Sequence, residues 1–222
     1  MADRCLLYYI TDRSQFRGDE RARRRHLLAK VAEAALACVD YIQLREKDLS
    51  TRELELLARE VVAIVRETSS STRLLVNSRT DVALAAGADG VHLRADDVSS
   101  REARAVVQLS DQVSVQRPLA AGHFLVGISC HSNEDVIRAE SEGADFAVFA
   151  PVFGKNNAPG RHPTGLAALH EACRAKIPVL ALGGVTMENA ASCLTTGAAG
   201  VAGIRLFQEN KILDVVRALR AL

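Results

Sequence analysis

The sequence lacks an excess of charge of either sign, and it lacks an N-terminal segment that could target a membrane. Its 28 lysine and arginine residues against 27 aspartate and glutamate residues give a formal charge of +1. This balance provides no long-range attraction to nucleic acid or to an anionic membrane surface. The apolar run near the N-terminus is too short for a signal-peptide core or a membrane span. We therefore expect a cytoplasmic protein with neither nucleic acid nor a membrane as partner.

Paired cysteines and a dinucleotide-binding turn are also absent. The cysteines are odd in number and scattered, and none lies in a CxxC motif; they are Cys5, Cys38, Cys130, Cys173 and Cys193. This usage indicates neither a disulfide framework nor a zinc site, and it agrees with reduced thiols in a cytosol. No GxGxxG turn follows the first apolar run, which disfavours an open doubly wound sheet.

What the chain contains is an alternation of eight short aliphatic runs with longer stretches that carry apolar residues at helical spacing. The runs cover residues 6–10, 41–44, 74–77, 90–93, 124–128, 146–149, 179–182 and 200–204. The helical stretches lie near 22–37, 51–68, 79–86, 99–109, 133–142, 164–175, 187–196 and 209–221. About 28 residues per unit suit one strand, one helix and two loops. The sequence predicts one α/β domain over residues 1–222, folded as a (β/α)8 TIM barrel.

Three predicted helices end in a similar phrase, with Gly87, Gly143 and Gly197 each followed by alanine before the next strand. Glycine at this position indicates a helix that stops in the left-handed conformation. We interpret these glycines as turn residues of the barrel's structural face, without contact to a ligand.

Residues that follow the strands of such a barrel meet at one mouth, where barrel enzymes keep their active sites. Here these positions are polar or glycine: Asp12, Gln43, Arg45, Lys47, Asn77, Asp96, Asp97, Ser129, His131, Lys155, Gly183, Gly184 and Gly203. The pattern predicts a functional site at the mouth.

The residues of this mouth are compatible with two phosphate sites. Gln43, Arg45 and Lys47 are spaced two apart, so an extended strand directs them to one side, and a guanidinium beside an ammonium suits a diphosphate. The alternative is a strand end with solvated charges. Gly183 and Gly184 after the seventh run, with Gly203 at the eighth, offer backbone N–H groups to a monophosphate. The alternative for these is ordinary turn glycine.

Two further positions favour structural roles when the residues are considered alone. Asp96 and Asp97 precede the helix that begins near Ser99, so a helix cap is preferred to a metal site. His131 stands alone beyond its strand, and a lone histidine is more often a hydrogen-bonded structural residue than a catalyst.

A set of ordered motifs gives a resemblance to a known family. They are Gln-Leu-Arg-Glu-Lys at 43–47, Val-Asn at 76–77, Gly-Ala-Asp-Gly-Val-His-Leu at 87–93, Gly-Ile-Ser-Cys-His at 127–131, Ala-Pro-Val-Phe at 150–153 and Ile-Pro-Val-Leu-Ala-Leu-Gly-Gly-Val at 177–185. In this order the chain resembles the thiamine phosphate synthase family, which includes thiazole tautomerases. The resemblance extends over residues 6–207.

The resemblance implies a Mg²⁺-dependent transferase that joins a phosphorylated pyrimidine, hydroxymethylpyrimidine diphosphate, to a thiazole phosphate and releases diphosphate. It assigns the pyrimidine to Gln43, and the diphosphate to Arg45, Lys47, Asn77 and Ser129. It also assigns Mg²⁺ to Asp97, and the thiazole phosphate to the backbone at Gly184, Gly203 and Ile204.

Three positions depart from the family pattern. Ser78 stands where the family has an aspartate that is a second Mg²⁺ ligand, so weaker metal binding is expected. Gly-Lys-Asn-Asn-Ala at 154–158 replaces Thr-x-Thr-Lys, which leaves Lys155 as a shifted replacement for the lysine. Arg205 replaces a small hydroxyl residue, and an arginine there either holds a phosphate or blocks its site.

Three functions remain open from the sequence. The first is the synthase, and the second is a tautomerase that uses His131 as proton carrier without metal or diphosphate. The third is a non-catalytic barrel that binds a phosphorylated ligand. Residues 154–163 are rich in Gly, Pro and Asn and are the candidate for a lid over the mouth. The oligomeric state also stays open, with a homo-oligomer as one alternative.

Overall fold

The computed structural model describes residues 4–113, 123–154 and 163–222 of the chain. Eight parallel strands close into one barrel in sequence order, which confirms the predicted (β/α)8 fold. The strands are β1 (Leu6–Ile10), β2 (Tyr41–Leu44), β3 (Arg73–Asn77), β4 (Gly90–Leu93), β5 (Leu125–Cys130), β6 (Phe146–Phe149), β7 (Val179–Ala181) and β8 (Gly200–Gly203).

Helices surround the barrel. They are α1 (Glu20–Leu36), α2 (Thr51–Thr68), α3 (Thr80–Ala86), α4 (Ser100–Val113), α5 (Asn133–Ser141), α6 (Gly165–Ala172), α7 (Ala190–Thr195), α8 (Arg205–Gln208) and α9 (Ile212–Arg220). A 3-10 turn, Arg13–Gln15, follows β1. Within the described residues, no helix has the length and apolar character needed to cross a bilayer.

Several predicted element boundaries were wrong. The fifth strand continues to Cys130, so Ser129 lies inside it. The helix expected near 187–196 begins at Ala190, because the preceding residues form a turn in which the Thr186 N–H donates to Asn189 Oδ1 at 2.8 Å. The final helix expected near 209–221 is α9 (Ile212–Arg220), and the short helix α8 (Arg205–Gln208) before it was not predicted, since a helix of one turn is too short to show a period.

Alternate residues of the strands fill the barrel interior. Tyr8, Phe146 and Leu180 belong to one buried cluster inside the barrel, and the other strand faces pack against the helices. Tyr8 meets the Phe146 ring edge to face, with centroids 5.5 Å apart. Aromatic packing of this type fixes the interior as a solid core below the mouth.

Carboxylates tie neighbouring strands together at the face opposite the mouth. Asp40, Asp89 and Asp145 precede β2, β4 and β6, and each accepts a hydrogen bond from a backbone N–H of the preceding strand, at 2.9, 2.8 and 2.6 Å. Each also faces an arginine of the same face. The corresponding residue before β8 is Ala199, which has no carboxylate. The helix stops at Gly87, Gly143 and Gly197 are left-handed, as predicted.

Candidate active site

The mouth begins with Gln43, which lies on β2 and is buried just above the interior aromatic cluster. Its Nε2 donates to the Tyr8 hydroxyl at 3.0 Å. Burial raises the pKa of Tyr8, so the phenol stays neutral. The Gln43 amide is therefore held in a fixed orientation at the floor of the mouth.

Arg45 and Lys47 follow the end of β2, and we call these two residues the cationic wall. Arg45 is half-buried, Glu46 is buried and Lys47 is exposed, which agrees with alternating side-chain directions in an extended segment. Arg45 forms no ion pair within the described part of the chain. Burial lowers the pKa of Arg45, although the charges of Asp12 and Glu46 act in the opposite direction.

A buried ion network supports the cationic wall, and the sequence analysis missed it. The Glu46 carboxylate accepts from Thr11 Oγ1 at 2.6 Å and from Arg13 Nη1 at 3.1 Å. Arg13 also pairs with Asp48 and Glu20 at 2.7 Å each. Burial raises the pKa of Glu46, and hydrogen bonds from Thr11 and Arg13 oppose that rise. The alternation of side-chain directions in an extended segment was the available signal, because it requires Glu46 to face away from its neighbours Arg45 and Lys47.

The hydroxyl of Ser129, on β5, lies 2.9 Å from Nε2 of His92 on β4. His92 is a second residue that the sequence analysis missed. Burial and the nearby charge of Arg45 lower the pKa of His92 to about 3, while Asp97 acts in the opposite direction. The imidazole is therefore neutral at pH 7. Its position in an otherwise apolar strand was the available signal.

Asn77 ends β3, and Ser78 follows it beside His92, since Ser78 N donates to the His92 carbonyl at 2.8 Å. Asn77 Nδ2 donates to Ser78 Oγ at 3.0 Å. Ser78 has a φ of 59°, a left-handed conformation that is uncommon for residues other than Gly, Asn and Asp.

Asp97 does not cap α4, so the preference for a helix cap at Asp96 and Asp97 was wrong. The cap is Ser99, whose Oγ accepts from Glu102 N at 3.2 Å while the Glu102 carboxylate accepts from Ser99 N at 2.8 Å. The Asp97 carboxylate accepts instead from Arg94, through its backbone N–H at 2.8 Å and its Nε at 3.2 Å. Asp96 is also near the Arg94 guanidinium but is mostly exposed.

Gly183 and Gly184 follow β7 at another part of the mouth, and together with Gly203 we call them the glycine wall. Their φ angles are 96° and 68°, and their N–H groups donate to no residue that the structure describes. A Cβ on Gly183 would lie 2.7 Å from Pro151 Cα, and one on Gly184 would lie 2.8 Å from Phe153 Cβ. Both positions therefore require glycine. Gly203 ends β8, and Ile204 leads directly into α8, where Arg205 is exposed.

His131 is exposed just beyond β5. Its Nδ1 lies 2.7 Å from the carbonyl oxygen of Ala150, an acceptor that requires the proton on Nδ1. Nε2 is then the ring nitrogen available to a ligand. Lys155 and most of the predicted lid, residues 155–162, lie outside the described residues.

A protein-only metal cage is not formed by residues 4–113, 123–154 and 163–222, since these ranges contain no group of three His, Cys, Asp or Glu side chains arranged for a metal ion. Mg²⁺ at a phosphate site needs less, because one carboxylate and the phosphate oxygens of the substrate can bind it. Asp97 offers one such carboxylate after β4, and Ser78 is a neutral residue after the adjacent strand β3.

Comparison with known proteins relates the chain to one family. A family model described as thiamine monophosphate synthase matches residues 7–115 and 106–207. A putative thiamine-phosphate synthase 2 of Aquifex aeolicus is 40% identical over 204 residues, which cover 91% of this chain and 97% of the relative. The thiamine-phosphate synthase of Methanoculleus marisnigri is 38% identical over 96% of this chain and 93% of its own length.

Solved structures extend the similarity to three dimensions. The thiamine phosphate pyrophosphorylase of Pyrococcus furiosus superposes with a TM-score of 0.76 at 29% identity, over 99% of this chain and 95% of that protein. A 3-hexulose-6-phosphate synthase shares the fold alone, with a TM-score of 0.63 at 17% identity. On its sequence and its fold, the chain belongs to the thiamine monophosphate synthase family.

Proposed function

We propose that the chain is a thiamine phosphate synthase, a transferase that joins hydroxymethylpyrimidine diphosphate to thiazole phosphate and releases diphosphate. The observation that carries this proposal is Arg45, a half-buried guanidinium at the mouth that lacks an ion-pair partner among the described residues. A desolvated cation is costly unless an anion compensates it. The diphosphate of the pyrimidine substrate supplies that anion.

In the proposed reaction, the bond between the pyrimidine methylene carbon and the diphosphate oxygen breaks, and the electron pair leaves with the diphosphate. The thiazole nitrogen then forms a bond to the methylene carbon. Arg45 and Lys47 stabilise the charge that develops on the leaving group, with Asn77 and Ser129 as further contacts. Fixed charges and dipoles of this kind reduce the barrier without a protein base. The pKa of His92, lowered to about 3, makes this imidazole beside Ser129 a poor proton acceptor, which agrees with chemistry that needs no base.

The two substrates occupy different walls of the mouth in this proposal. Gln43 contacts the pyrimidine from the floor of the mouth. The thiazole phosphate accepts hydrogen bonds from the backbone of Gly183, Gly184, Gly203 and Ile204, and the open N–H groups of Gly183 and Gly184 support this assignment. Lys155 is proposed as a further contact to the substrates, and Arg205 lies beside the phosphate site at the start of α8.

Mg²⁺ is proposed as the cofactor, held by Asp97 near Ser78 together with substrate oxygens. Its chemistry is to neutralise charge on the diphosphate. The donor set fits a weakly held ion, because Ser78 contributes no charge and both oxygens of Asp97 accept hydrogen bonds from Arg94. Metal binding then depends strongly on the diphosphate.

Product formation tests the function directly. The protein is incubated with both substrates and Mg²⁺, and thiamine phosphate and diphosphate are measured together by chromatography. Equal amounts of the two products are expected, with little turnover in EDTA. If no product forms at saturating substrate while the thiazole phosphate still raises the melting temperature, the synthase proposal is wrong.

A thiazole tautomerase is the second candidate. The observation that favours it is the exposed His131, whose Nδ1 is engaged by Ala150 and whose Nε2 is oriented away from that bond. Such a ring can carry a proton for an isomerisation. Conversion of a thiazole tautomer without diphosphate or metal, lost in His131→Ala, would establish this function instead.

The setting of the protein follows from the same features. We propose that a single barrel domain over residues 1–222 acts in the cytoplasm, supported by five cysteines that are all free thiols. We also propose a homo-oligomer, because Val106, Leu109 and Ile137 expose 48%, 61% and 65% of their surface on α4 and α5. Light scattering on a sizing column measures the oligomeric state, and a monomer at all concentrations contradicts this part.

A further inference from the structure

The loop after β1, residues 11–16, lies between the two walls of the mouth. In the closed barrel β1 pairs with β2 on one side and with β8 on the other. The cationic wall follows β2, whereas Gly203 of the glycine wall ends β8. This β1 loop is therefore the segment through which a shift of one wall can displace the other.

Buried hydrogen bonds attach the β1 loop to the cationic wall. Thr11 Oγ1 accepts from the Arg45 backbone N–H at 3.0 Å and donates to Glu46 at 2.6 Å. The same carboxylate accepts from the Arg13 backbone N–H at 3.0 Å and from Arg13 Nη1 at 3.1 Å. The Glu46 side chain is only 2% exposed. If its charge is lost, water can replace its hydrogen bonds to Thr11 and Arg13 only when the loop opens.

The other side of the β1 loop is attached to α8 by one buried amide. Gln208 Oε1 accepts from the Asp12 backbone N–H at 2.8 Å, and Gln208 Nε2 donates to the Asp12 carbonyl at 3.1 Å. The Tyr9 hydroxyl also donates to Gln208 Oε1 at 3.3 Å. Because α8 begins directly after Ile204, Gln208 fixes the backbone next to the proposed thiazole phosphate site.

We propose that Glu46 and Gln208 are positioning residues that set the separation of the two phosphate sites through the β1 loop. The inference rests on the proposed synthase function. Capture of the pyrimidine carbon by the thiazole nitrogen requires the two substrates at a fixed distance, and a misplacement of about 1 Å costs on the order of 10²-fold in rate. Neither residue needs to touch a substrate to have this effect.

The test uses the full chain with Glu46→Gln, Gln208→Leu and the double variant. The Glu46 change retains the size of the side chain but removes the charge that holds Thr11 and Arg13. The turnover number with both substrates saturating is expected to fall about tenfold in each single variant, while each KM changes less than about threefold. In the double variant, the fall in turnover number is expected to be smaller than the product of the two single falls. The reason is that both changes break the same connection, which runs through the β1 loop.

Asp40→Asn is the matched control, because Asp40 is a partly buried carboxylate that ties two strands at the opposite face of the barrel. It is expected to lower the melting temperature and leave the turnover number unchanged. If Glu46→Gln and Gln208→Leu behave like this control, or if each raises only one KM, the positioning role is refuted while the synthase function stands. Absence of turnover in the unmodified protein overturns both.

Discussion

The two walls of the mouth offer positive character to anions in different ways. The cationic wall uses flexible side chains, and it depends on the buried Glu46 and Arg13 beneath it. The glycine wall uses backbone N–H groups whose direction is already fixed by φ angles of 96° and 68° at Gly183 and Gly184. Charged side chains need a supporting network, whereas backbone donors need only the correct chain path. Chemistry is expected at the first wall and anchoring at the second.

The largest expected effect is at the cationic wall. Arg45→Ala should reduce the turnover number about 10³-fold, because it removes a preorganised positive charge that stabilises the diphosphate leaving group. The KM for thiazole phosphate should stay within about twofold, since that ligand binds at the other wall. Steady-state kinetics with each substrate varied in turn provide the measurement.

Two variants serve as controls for Arg45→Ala. Arg45→Lys retains the charge without the fork geometry and should recover part of the rate. His131→Ala should cost only about threefold if no proton carrier is needed. A larger loss for His131→Ala than for Arg45→Ala would select the tautomerase.

Substitutions in the glycine wall should weaken the binding of thiazole phosphate. Gly184→Ala places a Cβ 2.8 Å from Phe153 Cβ at a φ of 68°, and it should raise the KM for thiazole phosphate about 30-fold through strain of about 2 kcal/mol and a displaced loop. Gly87→Ala is the matched control, because it has a φ of 74° at the opposite face and its Cβ would meet nothing closer than 3.6 Å. Equal KM changes in the two variants would contradict a phosphate site at Gly184.

The buried His92 below the cationic wall should make the stability of the protein depend on pH. The pKa of His92 falls from 6.5 to about 3 on folding, so the unfolded chain binds the extra proton first as the pH falls. This contribution to stability is complete above pH 6.5 and is lost progressively between pH 6.5 and 3. From pH 7 to pH 5 the free energy of unfolding should drop by about 2 kcal/mol on account of His92.

Urea unfolding at both pH values measures this loss, and His92→Gln provides the comparison because it removes the titrating group. The other titrating groups, including Glu46, contribute to both proteins. The prediction therefore concerns the difference between the two pH dependences. Identical losses in the two proteins would show that His92 is protonated as readily in the folded state as in the unfolded chain.

The smallest expected effect concerns the metal. Ser78→Asp should raise the affinity for Mg²⁺ about tenfold in the presence of inorganic diphosphate, since a second carboxylate joins Asp97. Aspartate tolerates the left-handed φ of 59° found at this position. Titration calorimetry measures the change, and Ser78→Asn is the neutral control of similar size. Equal affinities in Ser78→Asp and Ser78→Asn would place the ion elsewhere.

The fold was predictable because its signals are local and repeated. Eight apolar runs, the intervening helical periods and the left-handed helix stops at Gly87, Gly143 and Gly197 each follow from a few neighbouring residues. The one-turn helix α8 was missed because four residues cannot show a helical period. The Asp97 cap was mistaken because Ser99, two residues later, competes for the same N–H groups.

The candidate site was predictable only in part. Positions after the strands identified Arg45, Gly183 and Gly184, since barrel topology alone brings strand ends together. The support network was not predictable, because Glu46, Arg13 and Gln208 are far apart in the sequence and meet only after the barrel closes. Arg13 and Gln208 alone are separated by 195 residues. Whether His92 takes up a second proton likewise depends on burial, which the sequence does not reveal.

The aspartates opposite the mouth divide the barrel into pairs of strands. Three pairs are held by a carboxylate from Asp40, Asp89 or Asp145, but the β7–β8 pair has Ala199 in that place. The same pair carries the glycine wall at its other end. The β7–β8 pair therefore lacks a side-chain bond that the other three pairs have at this face, and we expect its backbone amides to exchange hydrogen with solvent before those of the other three pairs.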